Sequence, residues 1–285
     1  MKGPYMKEKF KNIKKYLDVL KPVVYFIGIH LLVVVFSMIV ISIYFKDYNY
    51  DLDEISDIKY YMLVIVHCIS IFVYYKWYRK LMKGSDTLHK KVSFKDKIVI
   101  TLYGLGVILI CDGIMYTILK LIMRYSPNLL DEYFKTNQVN SNTLIIYFIC
   151  LVITAPLAEE LMLRGVELSK AKKVMPFYLE NILQSFLFAL FHFDLVNFIG
   201  FFLVGLLLRY ITRLYGSIKP GIFIHALNNS IAFILPDILD KSRVSRVSLI
   251  DLPIAFWILI TLVGACFVFI FIYKTREKDN TWCQY

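Results

Sequence analysis

A chain of 285 residues that is 58% hydrophobic and 19% charged, with a mean hydropathy of +0.60, is far more apolar than a soluble domain, where about a quarter of residues are charged. These values exclude an ordinary soluble enzyme and specify an all-α polytopic membrane bundle, in which helices satisfy every backbone group without water. The net charge of +11 is not a nucleic-acid footprint, because the basic residues sit in clusters between apolar runs.

Residues 1–21 hold seven lysines and read as a basic cytoplasmic arm that can also lie on anionic lipid. The first span runs from Pro22 to Phe45, too long for a signal-peptide core and without a small-residue cleavage site, so it is expected to remain uncleaved. An acidic stretch from Asp47 to Asp57 suits an outside loop, a second span follows from Tyr60 to Tyr75, and the basic residues from Lys76 to Lys97 mark a second cytoplasmic loop. The third span, Ile98 to Met123, contains Asp112, which lines a cavity, bonds a neighbouring helix or sits where Gly113 loosens the packing. No catalytic role is given to it.

Residues 124–142 form an outside loop, and helix four starts near Thr143 and ends near Lys170, Lys172 and Lys173, with Pro176 closing the turn. Helix five starts near Phe177 and carries Glu180, Gln184, Phe188 and His192 four residues apart, a stripe that should face the protein interior. A break at Asp194 leads into helix six, Leu195 to Tyr215, where Gly200 and Gly205 permit close packing. Helix seven covers Pro220 to Leu235, a mixed-charge loop follows to Asp251, and a last span runs from Leu252 to Tyr273. The expected topology is about eight transmembrane helices with N- and C-termini cytoplasmic, since most of the 33 Lys and Arg then fall inside.

Glu159 and Glu160, at the end of the apolar run of helix four, require an explanation because ionisable groups in a membrane segment are expensive. Glu160 and Arg164 are i, i+4 and can pair, whereas Glu159 lies about 100° round the helix and is left available. Two further i, i+4 pairs follow, Phe188/His192 and His225/Asn229. Glu159 lies 16 residues before Met175 and His192 lies 17 after it. In an antiparallel hairpin turning there, both come out roughly 24 to 26 Å from the turn, at the same depth.

A glutamate beside a histidine can hold and deprotonate a water, and His225 with Asn229 can offer an imidazole N–H and an amide N–H to an oxyanion. Together these groups specify peptide-bond hydrolysis within or at the edge of a membrane. Two histidines and a carboxylate also admit zinc, but the chain has no H-E-x-x-H, so no cofactor is expected and a metal stays the secondary reading. The five cysteines are scattered without a C-x-x-C pair and read as small buried hydrophobes.

The E-E-x-x-x-R of Glu159, Glu160 and Arg164, the F-x-x-x-H of Phe188 and His192 and the H-x-x-x-N of His225 and Asn229 resemble the three motifs of the CAAX protease and bacteriocin-processing family, also called Abi, in order across 71 residues. Gly205 and the Gly216-Ser217-Ile218 turn are also similar, so the resemblance covers about Leu144 to Leu235. It implies an eight-helix intramembrane endopeptidase of the glutamate type without an obligatory metal. Glu159 and His192 would activate water, His225 and Asn229 would form the oxyanion hole, and Glu160, Arg164 and Phe188 would support them. The chain then divides into the arm (1–21), the first three transmembrane helices (22–142), a catalytic core of helices four to seven (143–236), and the last helix with a basic cytoplasmic tail (237–285).

The expected substrate is a membrane-associated peptide or protein precursor such as a leader peptide, pheromone, bacteriocin or CAAX-like tail. The Lys-, Ile-, Tyr- and Phe-rich composition suits the cell membrane of a low-GC bacterium, where prenylation is not expected. Two other classes stay open: a non-catalytic scaffold that regulates a partner membrane protein, and a transporter or proton relay built on the same ionisable residues.

Overall fold

Long runs of Ile, Leu, Val and Phe fold as helices in hydrocarbon because a helix closes its own backbone hydrogen bonds. The computed structural model describes residues 4–44, 52–83, 93–126, 143–195, 197–241 and 252–280, and every regular element among them is helical. In chain order these are α1 (Pro4–Tyr44), α2 (Leu52–Leu81), α3 (Phe94–Tyr125), α4 (Leu144–Ala171), α5 (Phe177–Phe191), α6 (Phe198–Tyr215), α7 (Lys219–Lys241) and α8 (Ile254–Asn280). Most of the expected loops at 124–142 and 236–251, with Lys90 and Lys91, lie outside the described residues.

The chain is a multi-pass helical membrane protein. Among the described residues six helices, α1 to α4, α6 and α8, contain stretches long and apolar enough to cross a bilayer, and α5 is a shorter apolar helix. The eight expected crossings map onto these eight helices, but α5 and α7 fall outside the six for physical reasons. At 15 residues α5 reaches only about 22 Å, short of the roughly 30 Å hydrocarbon core, and α7 interleaves His225, Asn228, Asn229 and Ser230 with its apolar residues. The helices α2 and α3 begin earlier and end later than their apolar runs, because a helix continues into polar residues beyond the hydrocarbon. Likewise α1 passes unbroken from the basic arm through Pro22.

The chain clusters into two compact units, one from Met1–Ser85 and Asn140–Gln184, the other from Asp86–Val139 and Ser185–Tyr285. In the first, α1 and α2 pack against α4. Pro22 has no N–H to give to the carbonyl of Asp18, four residues back, and Lys170 of α4 supplies the missing donor at 3.1 Å. The Lys170 ammonium also lies 4.6 Å from the Trp77 ring centroid on α2, so one side chain joins three helices. The Tyr74 hydroxyl donates to the Pro22 carbonyl and closes the same junction.

In the second unit α3 and α8 are in intimate contact. A Cβ added at Gly113 would stand 2.8 Å from the Trp257 carbonyl, so this glycine lets the two backbones approach and does not loosen the packing. Gly205 has the role expected of it, since a Cβ there would stand 2.8 Å from Ser185 Cα, whereas Gly200 faces open space and serves no such contact. The Tyr103 hydroxyl donates to the Leu207 carbonyl at 2.8 Å and ties α3 to α6. Of the cysteines, Cys111 and Cys150 are buried as expected, but Cys68 and Cys266 lie on exposed faces.

Candidate active site

In the first unit, α4 is not a uniform α-helix. Its segment Ala155–Glu160 is flanked by π turns at Ile149–Thr154 and Leu161–Glu167, a departure that often accompanies functional residues. Glu160 Oε1 accepts from Arg164 Nη1 at 2.8 Å, and both side chains are withdrawn completely from the surface. The i, i+4 pairing expected from sequence therefore exists. Glu159 and Glu167 lie within the electrostatic reach of the same guanidinium. Glu159 itself is half-buried, and its Oε2 is buried with no hydrogen-bond partner among the described residues. What separates the two neighbours is the ion pair with Arg164, which Glu160 makes through Oε1.

In the second unit, Phe188 lies between two imidazoles, its ring centroid 4.8 Å from that of His192 and 5.2 Å from that of His225. Helix α5 ends at Phe191, so His192 sits in the turn just beyond it rather than on the helix, and Phe193 takes the left-handed conformation with φ of 48°. His192 is nevertheless fixed. Its Nδ1 donates to the Phe188 carbonyl at 2.8 Å, and Phe201 of α6 stacks on its ring at 3.8 Å and 21°. A carbonyl only accepts, so Nδ1 carries the hydrogen and, in the neutral ring, Nε2 carries the lone pair. His225 is buried on α7 and Asn229 is half-buried one turn later. Asn228 Nδ2 donates to Asn229 Oδ1 at 3.3 Å, which leaves the Asn229 amide N–H groups as the donors for other partners.

Residues 141–231 match the family model described as Rce1-like, type II CAAX prenyl endopeptidase Rce1-like. That stretch is similar to the type II CAAX prenyl endopeptidases the family model describes. The seven residues singled out by sequence, from Glu159 to Asn229, all fall within the matched stretch. No curated protein and no solved structure matches the chain.

The matched family is described as one of endopeptidases, and within the matched stretch this chain has carboxylates at Glu159 and Glu160, imidazoles at His192 and His225 and an amide at Asn229. Among the described residues no group of three or more His, Cys, Asp or Glu side chains converges as metal ligands do. Of the four-residue stripe expected to face the interior, Glu180, Gln184 and Phe188 on α5 are buried, whereas His192, beyond the helix end, is half-buried. Sequence reasoning missed Phe201, which has no signal except its place on an apolar helix.

Proposed function

We propose that this protein is an intramembrane endopeptidase that hydrolyses a peptide bond in a membrane-associated peptide or protein precursor, using water activated by Glu159 and His192. The observation that carries this reading is the contrast between two adjacent glutamates. Glu160 is ion-paired to Arg164 through Oε1, while Glu159 makes no ion pair among the described residues and its buried Oε2 accepts no hydrogen bond among them. A buried acceptor of that kind is suited to a water that it can deprotonate.

In this reading Glu159 takes a proton from water while His192 Nε2 accepts the second hydrogen of the same water and orients it. The hydroxide adds to the scissile carbonyl carbon. Negative charge collects on the carbonyl oxygen, to which His225 and the Asn229 amide donate. Collapse breaks the C–N bond, and the proton held by Glu159 passes to the departing amine. Glu160 and Arg164 hold the segment that carries Glu159, and Phe188 holds the two imidazoles. The chain is embedded in the cell membrane and draws its substrate from the bilayer or its surface.

A substrate trap tests this. Glu159→Gln keeps shape but removes the base, so an intact precursor should co-purify with the full-length variant and be absent, or present only as fragments, with wild type. A partner recovered intact and equally with both proteins would instead identify a scaffold.

A further inference from the structure

The turn that joins α5 to α6 in the second unit is irregular. His192 and Phe193 close the end of α5 by donating their N–H groups to the Ala189 and Leu190 carbonyls, at 3.3 and 3.2 Å. Phe193 takes φ of 48°, a left-handed conformation that a Cβ disfavours, and among the described residues no other non-glycine does so. The side chains of Phe193 and Leu195 are 88% and 91% exposed, so neither packs down to hold the turn in place. A strained backbone persists only where its surroundings hold it.

Asp194, which none of the three motifs includes, makes two hydrogen bonds across that turn. Its Oδ1 accepts from the Asn197 backbone N–H at 3.0 Å, and its Oδ2 accepts from the Asn197 side-chain amide at 2.7 Å. Both carboxylate oxygens therefore grip one residue, and that residue caps α6. The Asn197 carbonyl in turn accepts from the Phe201 N–H at 3.0 Å, in the first turn of the helix. The Phe201 ring lies on the His192 imidazole, with centroids 3.8 Å apart. The contacts thus form a closed circuit, from His192 along the chain to Asp194, across to Asn197, one helical turn on to Phe201 and back to His192. A carboxylate suits its place there, since it stands at the N-terminus of an 18-residue helix.

We propose that Asp194 is a positioning residue for His192: by gripping Asn197 it sets the first turn of α6, and with it the Phe201 ring that holds the imidazole. This rests on the endopeptidase reading for its purpose, but the dependence of His192 on Asp194 can be measured without it.

The full-length protein, labelled with 15N-histidine and held in nanodiscs, gives the direct readout, with His192 assigned from His192→Gln. Asp194→Ala should move or broaden the His192 resonances, while those of His30 on α1 and His67 on α2 stay in place. Asp194→Asn keeps an acceptor for the Asn197 N–H and should restore most of the wild-type signal. Any Glu159-dependent cleavage product should form about five- to tenfold more slowly in Asp194→Ala at equal protein level. Adding Phe201→Leu should slow it little further, because two residues that act through one contact are not additive. His192 resonances that stay in place in Asp194→Ala overturn the proposal, as do unchanged product formation in that variant or losses that multiply in the double variant. Should Asp194→Ala fail to accumulate in the membrane, Asn197→Ala decides, since it removes only the side-chain bond: unmoved His192 resonances there also overturn the proposal. If His192 responds but no cleavage product depends on Glu159, the positioning role stands and the endopeptidase reading falls.

Discussion

The ring of Phe188 meets the imidazole of His225 edge to face, with centroids 5.2 Å apart and planes inclined by 74°. The F-x-x-x-H spacing accounts for Phe188 under His192, but nothing in it announces His225. One phenylalanine thus fixes two histidines that the sequence presents as separate motifs.

Phe201 is expected to matter through His192 alone. An aromatic pair contributes about 0.5–1.5 kcal/mol beyond its burial, equivalent to about 2- to 12-fold in a rate if the stacked ring is the active one. Phe201→Leu should therefore slow product formation by up to about tenfold with little change in protein level, and Phe201→Tyr should retain most activity. Quantitative product release at matched expression checks this.

Asn228 and Asn229 should separate in size of effect. Loss of an oxyanion donor costs about 100- to 1000-fold, so Asn229→Ala is expected to be near inactive. Asn228→Ala removes only the hydrogen bond that orients its neighbour, a matter of about 1 kcal/mol or about fivefold. Equal losses in the two variants would show that Asn228 acts directly.

How much of this was legible in the sequence follows from which forces are local. Glu160 and Arg164 pair through i, i+4 geometry, so spacing alone gave the contact and separated Glu159 from it. The π turns on either side of Glu159 had no signal, because they depend on how α4 accommodates α1 and α2. His192 was expected on a helix, but the chain leaves helical geometry at Phe191 and holds the ring through a backbone carbonyl instead. Gly113 was misread because a glycine within an apolar run marks either looseness or close approach, and only the partner helix decides.

Lys170 illustrates the same point in a form that can be measured. Its hydrogen bond to the Asp18 carbonyl exists because Pro22 withholds the intrahelical donor. Lys170→Met should cost about 1 kcal/mol, and Pro22→Ala should make that loss smaller by restoring the N–H. Thermal unfolding of the two single variants and the double variant in one detergent gives the coupling, and strictly additive effects would refute the account.

The buried ion pair makes a stronger demand. Arg164→Ala leaves Glu160 uncompensated and should destabilise the first unit by about 3–5 kcal/mol, whereas Glu160→Met with Arg164→Leu together should be much milder. Yields and unfolding temperatures of the purified variants distinguish this from a purely catalytic role, in which all would unfold alike.

The most direct test of the central claim compares the peptides and membrane-protein termini produced by cells carrying wild type, Glu159→Ala or His192→Ala at matched levels, by mass spectrometry. The account predicts at least one new terminus or released peptide that depends on both Glu159 and His192. Identical profiles in all three strains, alongside a phenotype on loss of the whole protein, would contradict it and leave the scaffold reading in its place.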